Sequence, residues 1–324
     1  MPLREKTLIE KIRRAAASGP SVVTGIGDDA AVLRVPPGHE MLVTTDFSIE
    51  KVHFRLDWHA PELVGRRCLT RGLSDIAAMG GEPLAAFLSL ALPSNVPTKW
   101  VDRFLRGLLG LAKEFKVPLA GGDTAQSPNG ILADIVVVGS VLKGKAILRS
   151  GARAGDHIYV TGELGGSAAA LARLAHSKPV GAEYSRHFHP IPRVALGRWL
   201  RERGMASAMI DLSDGLSTDL EHLCQESHVG AEIEAEAIPR AHIGARPGKS
   251  RKPVELSLAL HGGDDYELLF TSATTLPAEI AGVRVTRIGR TTRSRGMRLI
   301  DENRKSRRLA AEGWEHFNYK FRSS

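Results

Sequence analysis

Residues 61–92 read PELVGRRCLTRGLSDIAAMGGEPLAAFLSLAL, and the change of pattern within this stretch decides the fold. Apolar residues recur at helical spacing up to the pair Gly80-Gly81, where the helix pattern stops. A continuous apolar run over residues 83–92 follows at once and is typical of a buried strand. The succession predicts a helix over residues 61–79 joined directly to a strand, a pairing from which α/β and α+β folds are built.

The same alternation of helix and strand patterns continues on both sides of this stretch. In the first half the patterns predict helices over residues 3–17 and 98–115 and strands over 30–35, 41–45, 117–120 and 131–142, with a Gly-Gly-Asp loop between the last two. In the second half they predict strands over 157–161, 208–211, 230–235 and 266–271 and helices over 167–175, 193–203, 216–226 and 254–260. A turn-rich break separates the two series, so we predict a protein of the α/β or α+β class with two domains, 1–149 and 150–324.

The charge of the chain is unevenly distributed. The formal net charge is +8, and residues 284–324 carry 12 Lys or Arg against 4 Asp or Glu. A basic segment of this kind is compatible with a nucleic-acid partner, but its aromatic residues are confined to its end and it contains no known binding motif. We interpret it as a solvated surface and expect no nucleic acid as a partner. A nucleic-acid-binding protein remains the alternative from a different functional class.

Other features of the sequence exclude whole classes of protein. No apolar stretch reaches the roughly 18 residues that a membrane span needs, and the first residues lack the apolar core of a secretory signal. The two cysteines, Cys68 and Cys224, are far apart in the sequence, which argues against a disulfide framework or a Cys-based zinc site. We therefore expect a cytoplasmic protein with no membrane partner.

Aspartates are concentrated in short motifs flanked by Gly, Ser or Thr. Nine of the 15 aspartates occur in six such motifs, namely Asp28 with Asp29, Asp46, Asp75, Asp123, Asp211 with Asp214, and Asp264 with Asp265. Any one motif can be explained as a turn or a helix cap. Adjacent carboxylates repel one another unless they are neutralised, and oxygen-rich sites without Cys suit Mg²⁺. The six motifs together predict several metal ions, a phosphorylated ligand, and either metal-assisted phosphoryl transfer or phosphate-ester activation.

Taken in order, these motifs resemble those of the thiamine-monophosphate kinases. The matching residues are 25–33 (GIGDDAAVL), 44–54 (TTDFSIEKVHF), 73–80 (LSDIAAMG), 121–124 (GGDT), 149–162 (RSGARAGDHIYVTG), 210–219 (IDLSDGLSTD), 262–268 (GGDDYEL) and 313–317 (GWEHF). The resemblance implies an α+β protein with α/β-type layers, in a two-domain fold similar to that of aminoimidazole ribonucleotide synthetase. In such a fold the N-terminal domain binds ATP and Mg²⁺ and forms a barrel with a second copy. The implied reaction phosphorylates thiamine monophosphate with ATP to give thiamine diphosphate.

Position by position, the resemblance implies three groups of site residues. The implied ligands of several Mg²⁺ ions are Asp28, Thr44, Thr45, Asp46, Asp75, Asp123, Asp211 and Asp214. The implied ATP contacts are Phe104, Gly122, Asp123, Arg149 and Ser213. The implied contacts to thiamine monophosphate are His53, Asp264 and Trp314. No covalent nucleophile is among them, so we predict direct in-line transfer between the two phosphorylated molecules.

Two departures from the family pattern and one close alternative accompany this assignment. Family members usually carry Glu where this chain has Asp264, so we expect the contact of this shorter side chain to be lost or bridged by water. The usual Gly-Glu-Phe near the N-terminus is replaced by Arg4-Glu5-Lys6. The nearest alternative is another ATP-using enzyme of the same superfamily, of the hydrogenase-maturation or purine-synthesis type. The His53 segment and the Gly-Trp-Glu-His-Phe sequence favour the thiamine-monophosphate kinase.

Overall fold

The structure is a computed structural model that describes residues 5–16, 19–243 and 252–317. The chain divides into two compact units, an N-terminal unit (Met1–Ala146) and a C-terminal unit (Ile147–Ser324). The division lies three residues before the predicted domain boundary at residue 149. Both units contain helices and sheet, which confirms the α+β prediction.

The N-terminal unit is built on a four-stranded sheet with the order β3-β6-β4-β5. Its elements are α1 (Glu5–Ala15), β1 (Val22–Thr24), β2 (Val32–Leu33), β3 (His39–Ile49), α2 (Pro61–Ala78), β4 (Glu82–Leu92), α3 (Thr98–Glu114), β5 (Leu119–Gln126) and β6 (Leu132–Leu142). Strands β4 and β5 are parallel, whereas β6 pairs antiparallel with both β3 and β4. Helices α2 and α3 pack on each other, and α2 also contacts β3, β4 and β6.

Helix α2 and strand β4 have nearly the bounds that residues 61–92 predicted. Pro61 occupies the first turn of α2, where its missing N–H costs no hydrogen bond. The helix is buried on most sides, and Cys68, Leu69 and Leu73 are fully inaccessible to solvent. This burial makes α2 a central element of the N-terminal core.

Three of the predicted elements in the N-terminal unit have wrong bounds, and one of them is the strand predicted over residues 30–35, which is confined to Val32–Leu33. Strand β3 extends well beyond the predicted residues 41–45, so that Asp46 lies within a strand rather than in a loop. The predicted Gly-Gly-Asp loop is part of β5, where Gly121, Gly122 and Asp123 pair in parallel with β4. Glycine-rich sequence favours loops, but the ladder to β4 supplies the backbone hydrogen bonds that hold this segment extended.

The C-terminal unit contains an eight-stranded sheet in which seven strands follow the order β16-β15-β9-β14-β7-β12-β8 and β13 pairs with β14. Its strands are β7 (His157–Thr161), β8 (Ala208–Asp211), β9 (Gly230–Glu234), β10 (His242–Ile243), β11 (Lys252–Pro253), β12 (Leu268–Ser272), β13 (Glu279–Ile280), β14 (Val283–Thr292), β15 (Gly296–Ile300) and β16 (Ser306–Leu309). Its helices are α4 (Gly166–Ala175), α5 (Ser185–Phe188), α6 (Val194–Arg203), α7 (Leu216–Glu226) and α8 (Leu256–His261). Apart from the short pair β10 and β11, the strands belong to one sheet, whose side chains contribute to a single large core.

None of the helices in the described residues is long and apolar enough to cross a membrane.

Candidate active site

A cavity of about 670 Å³ opens in the N-terminal unit beside the first Asp-Asp motif. Residues 25–31 and 119–124 form most of its wall, together with Phe87, Leu88 and two isoleucines of α1. The predicted residues Asp28, Gly122 and Asp123 therefore line one space, although they are distant in the sequence.

At Gly122 the wall of this cavity is formed by the polypeptide backbone, without a side chain. Its φ is +145°, and a Cβ atom placed on it would lie 1.8 Å from the carbonyl oxygen of Leu88. No side chain fits there, so the polypeptide backbone itself is presented to the cavity. The neighbouring Asp123 is exposed, and its Oδ1 accepts a hydrogen bond from the backbone N–H of Thr124 at 2.8 Å. Asp28 is held in the same way by the N–H of Asp29 at 3.1 Å.

A second group of predicted residues lies on β3 and α2. Thr44 and Asp46 are half-buried and share the face of β3 that packs toward α2. The hydroxyl of Thr44 donates a hydrogen bond to Oδ2 of Asp75 on α2. This contact joins two predicted metal ligands, Thr44 and Asp75, and the third, Asp46, lies on the same face of β3.

Thr45 is separated from this group by the geometry of the strand. Successive side chains on a strand point to opposite faces, so Thr45 lies on the exposed face of β3. Its hydroxyl donates a 2.7 Å hydrogen bond to Oδ1 of Asp134 on β6. Sequence reasoning missed Asp134, although it is the one charged residue in the apolar run of residues 131–142.

Three carboxylates are crowded at the start of α7 in the C-terminal unit. Asp211 ends β8 and is buried, and Asp214 follows it in the turn to the helix. Asp219 is also buried and accepts hydrogen bonds from the N–H groups of Asp214 at 3.2 Å and Gly215 at 3.0 Å. Burial and, to a smaller extent, the charges of Asp211 and Asp214 raise the pKa of Asp219 well above its ordinary value. Asp219 was not predicted as a site residue.

These donors fit a hard divalent cation. Carboxylate and hydroxyl oxygens are the ligands that Mg²⁺ prefers. A bound cation would also reduce the electrostatic repulsion among the carboxylates near Asp219. In the part of the chain that the structure describes, no group of three or more His, Cys, Asp or Glu side chains could hold a metal ion. A bound Mg²⁺ would therefore complete its shell with water, hydroxyl groups or ligand phosphates.

Asp264 lies directly beside the turn that contains Ser213. The backbone N–H of Asp264 donates to the carbonyl oxygen of Ser213 at 2.8 Å, and the hydroxyl of Tyr266 donates to Oδ1 of Asp264 at 2.6 Å. Asp264 and Tyr266 both adopt left-handed backbone conformations, with φ of 65° and 52°. Such conformations are costly for an aromatic residue and are concentrated at functional sites. Tyr266 is buried and was missed by sequence reasoning.

Trp314 belongs to the same cluster. Its backbone N–H donates a 2.9 Å hydrogen bond to the carbonyl oxygen of Asp214. The residue is 43% exposed, so its indole is accessible to a ligand. The C-terminal unit thus brings together four predicted residues from three distant segments, namely Ser213, Asp214, Asp264 and Trp314.

Other predicted residues have different surroundings. Phe104 is fully buried in the N-terminal core and stacks on Trp100 with 5.4 Å between ring centroids. Its ring packs in this core, so an ATP contact of Phe104, which stays a prediction, would have to come from its backbone. His53 accepts a hydrogen bond at Nδ1 from the N–H of Ile49 at 3.0 Å, just after β3. Arg149 is exposed, and its carbonyl oxygen accepts a 2.7 Å hydrogen bond from the hydroxyl of Ser227.

Comparison with known proteins identifies the family. The family model described as AIR synthase related protein, N-terminal domain, matches residues 27–141, and the corresponding C-terminal domain matches residues 153–302. The thiamine-monophosphate kinase of Salmonella typhimurium is 40% identical over 264 residues, covering 80% of this chain and 79% of the relative. The thiamine-monophosphate kinase of Bacillus subtilis is 35% identical over 327 residues, covering 97% of this chain and 99% of the relative.

A solved structure supports both the fold and the family. The structure described as AaThiL complexed with AMPPCP and TMP superposes with a TM-score of 0.74 at 31% identity, covering 97% of each chain. The predicted aminoimidazole ribonucleotide synthetase-like fold is therefore confirmed. On the evidence of sequence and fold together, the chain belongs to the thiamine-monophosphate kinase family of the AIR synthase related proteins.

Proposed function

We propose that the protein transfers the γ-phosphate of ATP to thiamine monophosphate, producing ADP and thiamine diphosphate. The observation that supports this proposal is the hydrogen bond from the backbone N–H of Trp314 to the carbonyl oxygen of Asp214, which ties an exposed tryptophan to the turn that carries carboxylates suited to Mg²⁺. That combination suits a ligand with a phosphate at one end and aromatic rings at the other. The matched relatives are thiamine-monophosphate kinases, and AaThiL has been solved with AMPPCP and TMP.

The proposed metal ligands are the eight predicted oxygen donors, considered within each unit. They are Asp28, Thr44, Thr45, Asp46, Asp75 and Asp123 in the N-terminal unit and Asp211 and Asp214 in the C-terminal unit. Because Thr45 faces away from Thr44 and Asp46, its side chain would serve a different ion, or it would contribute through its backbone. Mg²⁺ held by these residues would neutralise the negative charge on the phosphates and on the transferred group.

The remaining residues orient the two substrates. Gly122 offers backbone to the phosphates of ATP without a side chain in the way, and Arg149 and Ser213 supply further contacts to ATP. The proposed substrate contacts are His53, Asp264 and Trp314, of which Asp264 is held by the Tyr266 hydroxyl and would reach the substrate through a bridging water. An acidic side chain and an indole both suit the positively charged thiazolium ring of thiamine.

The transfer is direct. An oxygen of the thiamine monophosphate phosphate forms a bond to the γ-phosphorus of ATP as the bond from that phosphorus to the β,γ-bridging oxygen breaks, and ADP leaves with the bond electrons. The acceptor phosphate is largely ionised near neutral pH, so no strong general base is needed. Burial raises the pKa of Cys68 and Cys224 to about 12, which leaves neither thiol suited to act as a nucleophile.

The protein is also proposed to act as a homodimer in the cytoplasm. Large apolar side chains are exposed at alternate positions of β3, an edge strand of the N-terminal sheet, and a second copy would cover them. The nucleic-acid-binding alternative is not favoured, because the basic residues of 284–317 lie on sheet strands and turns where some pair with acidic neighbours, as Arg290 does with Glu232.

The proposal is tested by incubating the purified protein with ATP, Mg²⁺ and thiamine monophosphate and measuring thiamine diphosphate. Asp46→Asn and Asp123→Asn should each lower kcat by at least about 100-fold, since each removes a charge that acts on the transferred phosphate. Asp301→Asn, which changes an exposed turn carboxylate elsewhere, is the control and should retain activity. Absence of product with the unaltered protein under all Mg²⁺ concentrations would refute the function. Full activity in both site variants would refute the metal site.

A further inference from the structure

The C-terminal segment, residues 310–317, is fixed to the start of α7 by three consecutive backbone N–H groups. The N–H of Glu312 donates to Oγ of Ser217 at 3.3 Å, and that of Gly313 donates to Oγ1 of Thr218 at 3.0 Å. The N–H of Trp314 donates to the carbonyl oxygen of Asp214 at 2.9 Å. Residues 310–317 contain no helix or strand, so these bonds replace the backbone pairing that secondary structure provides.

The contact at Gly313 is too close for any other residue. A Cβ atom placed on Gly313 would lie 2.2 Å from the carbonyl oxygen of Asp214 and 2.6 Å from Oγ1 of Thr218. The backbone of the C-terminal segment therefore rests directly on the turn that contains the proposed metal ligand Asp214. Trp314 follows immediately and bonds to the same turn through its own N–H, so the two residues are held together.

Of the two side-chain hydroxyls that accept these bonds, that of Thr218 makes the shorter one and is not shared with another side chain among the residues that the structure describes. The hydroxyl of Ser217 is shared with Nδ1 of His261 at 2.8 Å, and its bond from Glu312 is the longest of the three. The hydroxyl of Thr218 accepts the N–H adjacent to Trp314 at a normal hydrogen-bond distance. Thr218 is itself held in the first turn of α7, where its N–H donates to the carbonyl oxygen of Gly215 at 3.0 Å.

We propose that Thr218 is a positioning residue for substrate binding: by accepting the Gly313 N–H, it holds the Trp314 indole beside the 211–214 turn. This inference rests on the proposed function, since it assigns to Trp314 the recognition of the thiamine part of thiamine monophosphate. A cationic heteroaromatic ring gains from close contact with an indole face, and that gain is lost if the indole is displaced. ATP is recognised by other residues, so its binding should not depend on Thr218.

The test compares Thr218→Val, which keeps the shape of the side chain but removes the hydroxyl acceptor, with Thr218→Ser, which retains it. Loss of a partner for a half-buried N–H is expected to raise KM for thiamine monophosphate about tenfold in Thr218→Val. The KM for ATP and kcat should stay within about twofold of the unaltered protein, as should every constant of Thr218→Ser. An unchanged KM for thiamine monophosphate in Thr218→Val, or an equal rise in Thr218→Ser, would overturn the proposal.

A second measurement does not depend on activity and so separates this proposal from the proposed function. Thr218→Val is introduced into the unaltered protein and into a Trp314→Phe variant, and tryptophan emission and acrylamide quenching are recorded for all four proteins. Thr218→Val should shift the emission to longer wavelength and increase quenching only where Trp314 is present. If it changes neither, Thr218 does not position the indole, whatever reaction the protein catalyses. If the fluorescence changes as expected and thiamine monophosphate is not phosphorylated, the substrate assignment alone fails.

Discussion

The adjacent carboxylates Asp264 and Asp265 show how neighbouring residues of one motif acquire different properties. Asp264 accepts a hydrogen bond from the Tyr266 hydroxyl in the candidate site. The carboxylate of Asp265 instead accepts the N–H groups of Gly165 at 2.7 Å and Ser167 at 3.4 Å at the start of α4. Burial of its carboxyl group raises the pKa of Asp265 to about 7, although these two N–H groups act in the opposite direction. Asp264 therefore remains the candidate substrate contact, whereas Asp265 stabilises a helix terminus.

The raised pKa of Asp265 predicts a particular pH dependence of stability. Its folded pKa of about 7 lies above the value of roughly 3.9 in an unfolded chain. The folded protein therefore holds an extra proton between these values, and the contribution of Asp265 to stability falls as pH rises through this window. Asp265→Asn should remove that contribution, which has a slope of at most about 1.4 kcal/mol per pH unit. Urea unfolding at several values between pH 4.5 and 7 measures it, and parallel curves for the two proteins would contradict the prediction.

At the scale of elements, a buried ion cluster connects one strand with two helical segments. Glu267 precedes β12, is 2% exposed, and accepts hydrogen bonds from the Thr161 hydroxyl of β7 at 2.6 Å and from Arg193 at 2.5 and 2.7 Å. Arg186 of α5 lies 3.5 Å from the same carboxylate. The side chain of Arg193, just before α6, is 14% exposed, so water has little access to either Arg193 or Glu267.

Removing the charge of Glu267 should therefore lower the free energy of unfolding substantially. Glu267→Gln removes the buried counter-charge of Arg193, whereas Arg186 keeps its pair with Glu163, and breaking a buried pair costs about 3–5 kcal/mol of unfolding free energy. Glu232→Gln breaks the more exposed pair with Arg290 and is the matched control, with an expected cost of no more than about 1 kcal/mol. Denaturant unfolding of both variants measures the difference. Equal losses of stability would show that Glu267 does not act through a buried charge.

Local sequence pattern was sufficient for many elements but not for the partners of the site residues. The predicted strands over 157–161 and 208–211 and the helix over 216–226 have the observed bounds, because their periodicity and flanking glycines are local signals. The segment Leu119–Gln126 was misjudged, since its extended form depends on pairing with β4. The partners of Asp265 and Glu267 are separated from them by about 100 residues. No spacing rule within one sequence reveals such contacts. The sequence therefore could not show that Asp265 and Glu267 have structural roles while Asp264 is a candidate site residue.

At the scale of the whole molecule, one face of β3 exposes large apolar side chains that the described residues of a single chain do not cover. Met41, Val43 and Phe47 alternate along this edge strand and are 56%, 60% and 53% exposed. A long edge strand with large apolar side chains invites pairing with another chain, and a two-fold interface would place each β3 against its copy. This pattern supports the proposed homodimer, in which the N-terminal sheets of two copies form a barrel.

Val43→Arg tests this interface. Around a two-fold axis the substitution places like charges near one another in a desolvated surface, which should convert the dimer to a monomer at micromolar concentration. Ile191→Arg is the matched control, because Ile191 is 50% exposed in the C-terminal unit and should leave the dimer intact. Sedimentation velocity gives the mass of all three proteins. A monomeric unaltered protein at every concentration, or a Val43→Arg variant that remains a dimer, would show that the exposed side chains of β3 are not covered by a second copy.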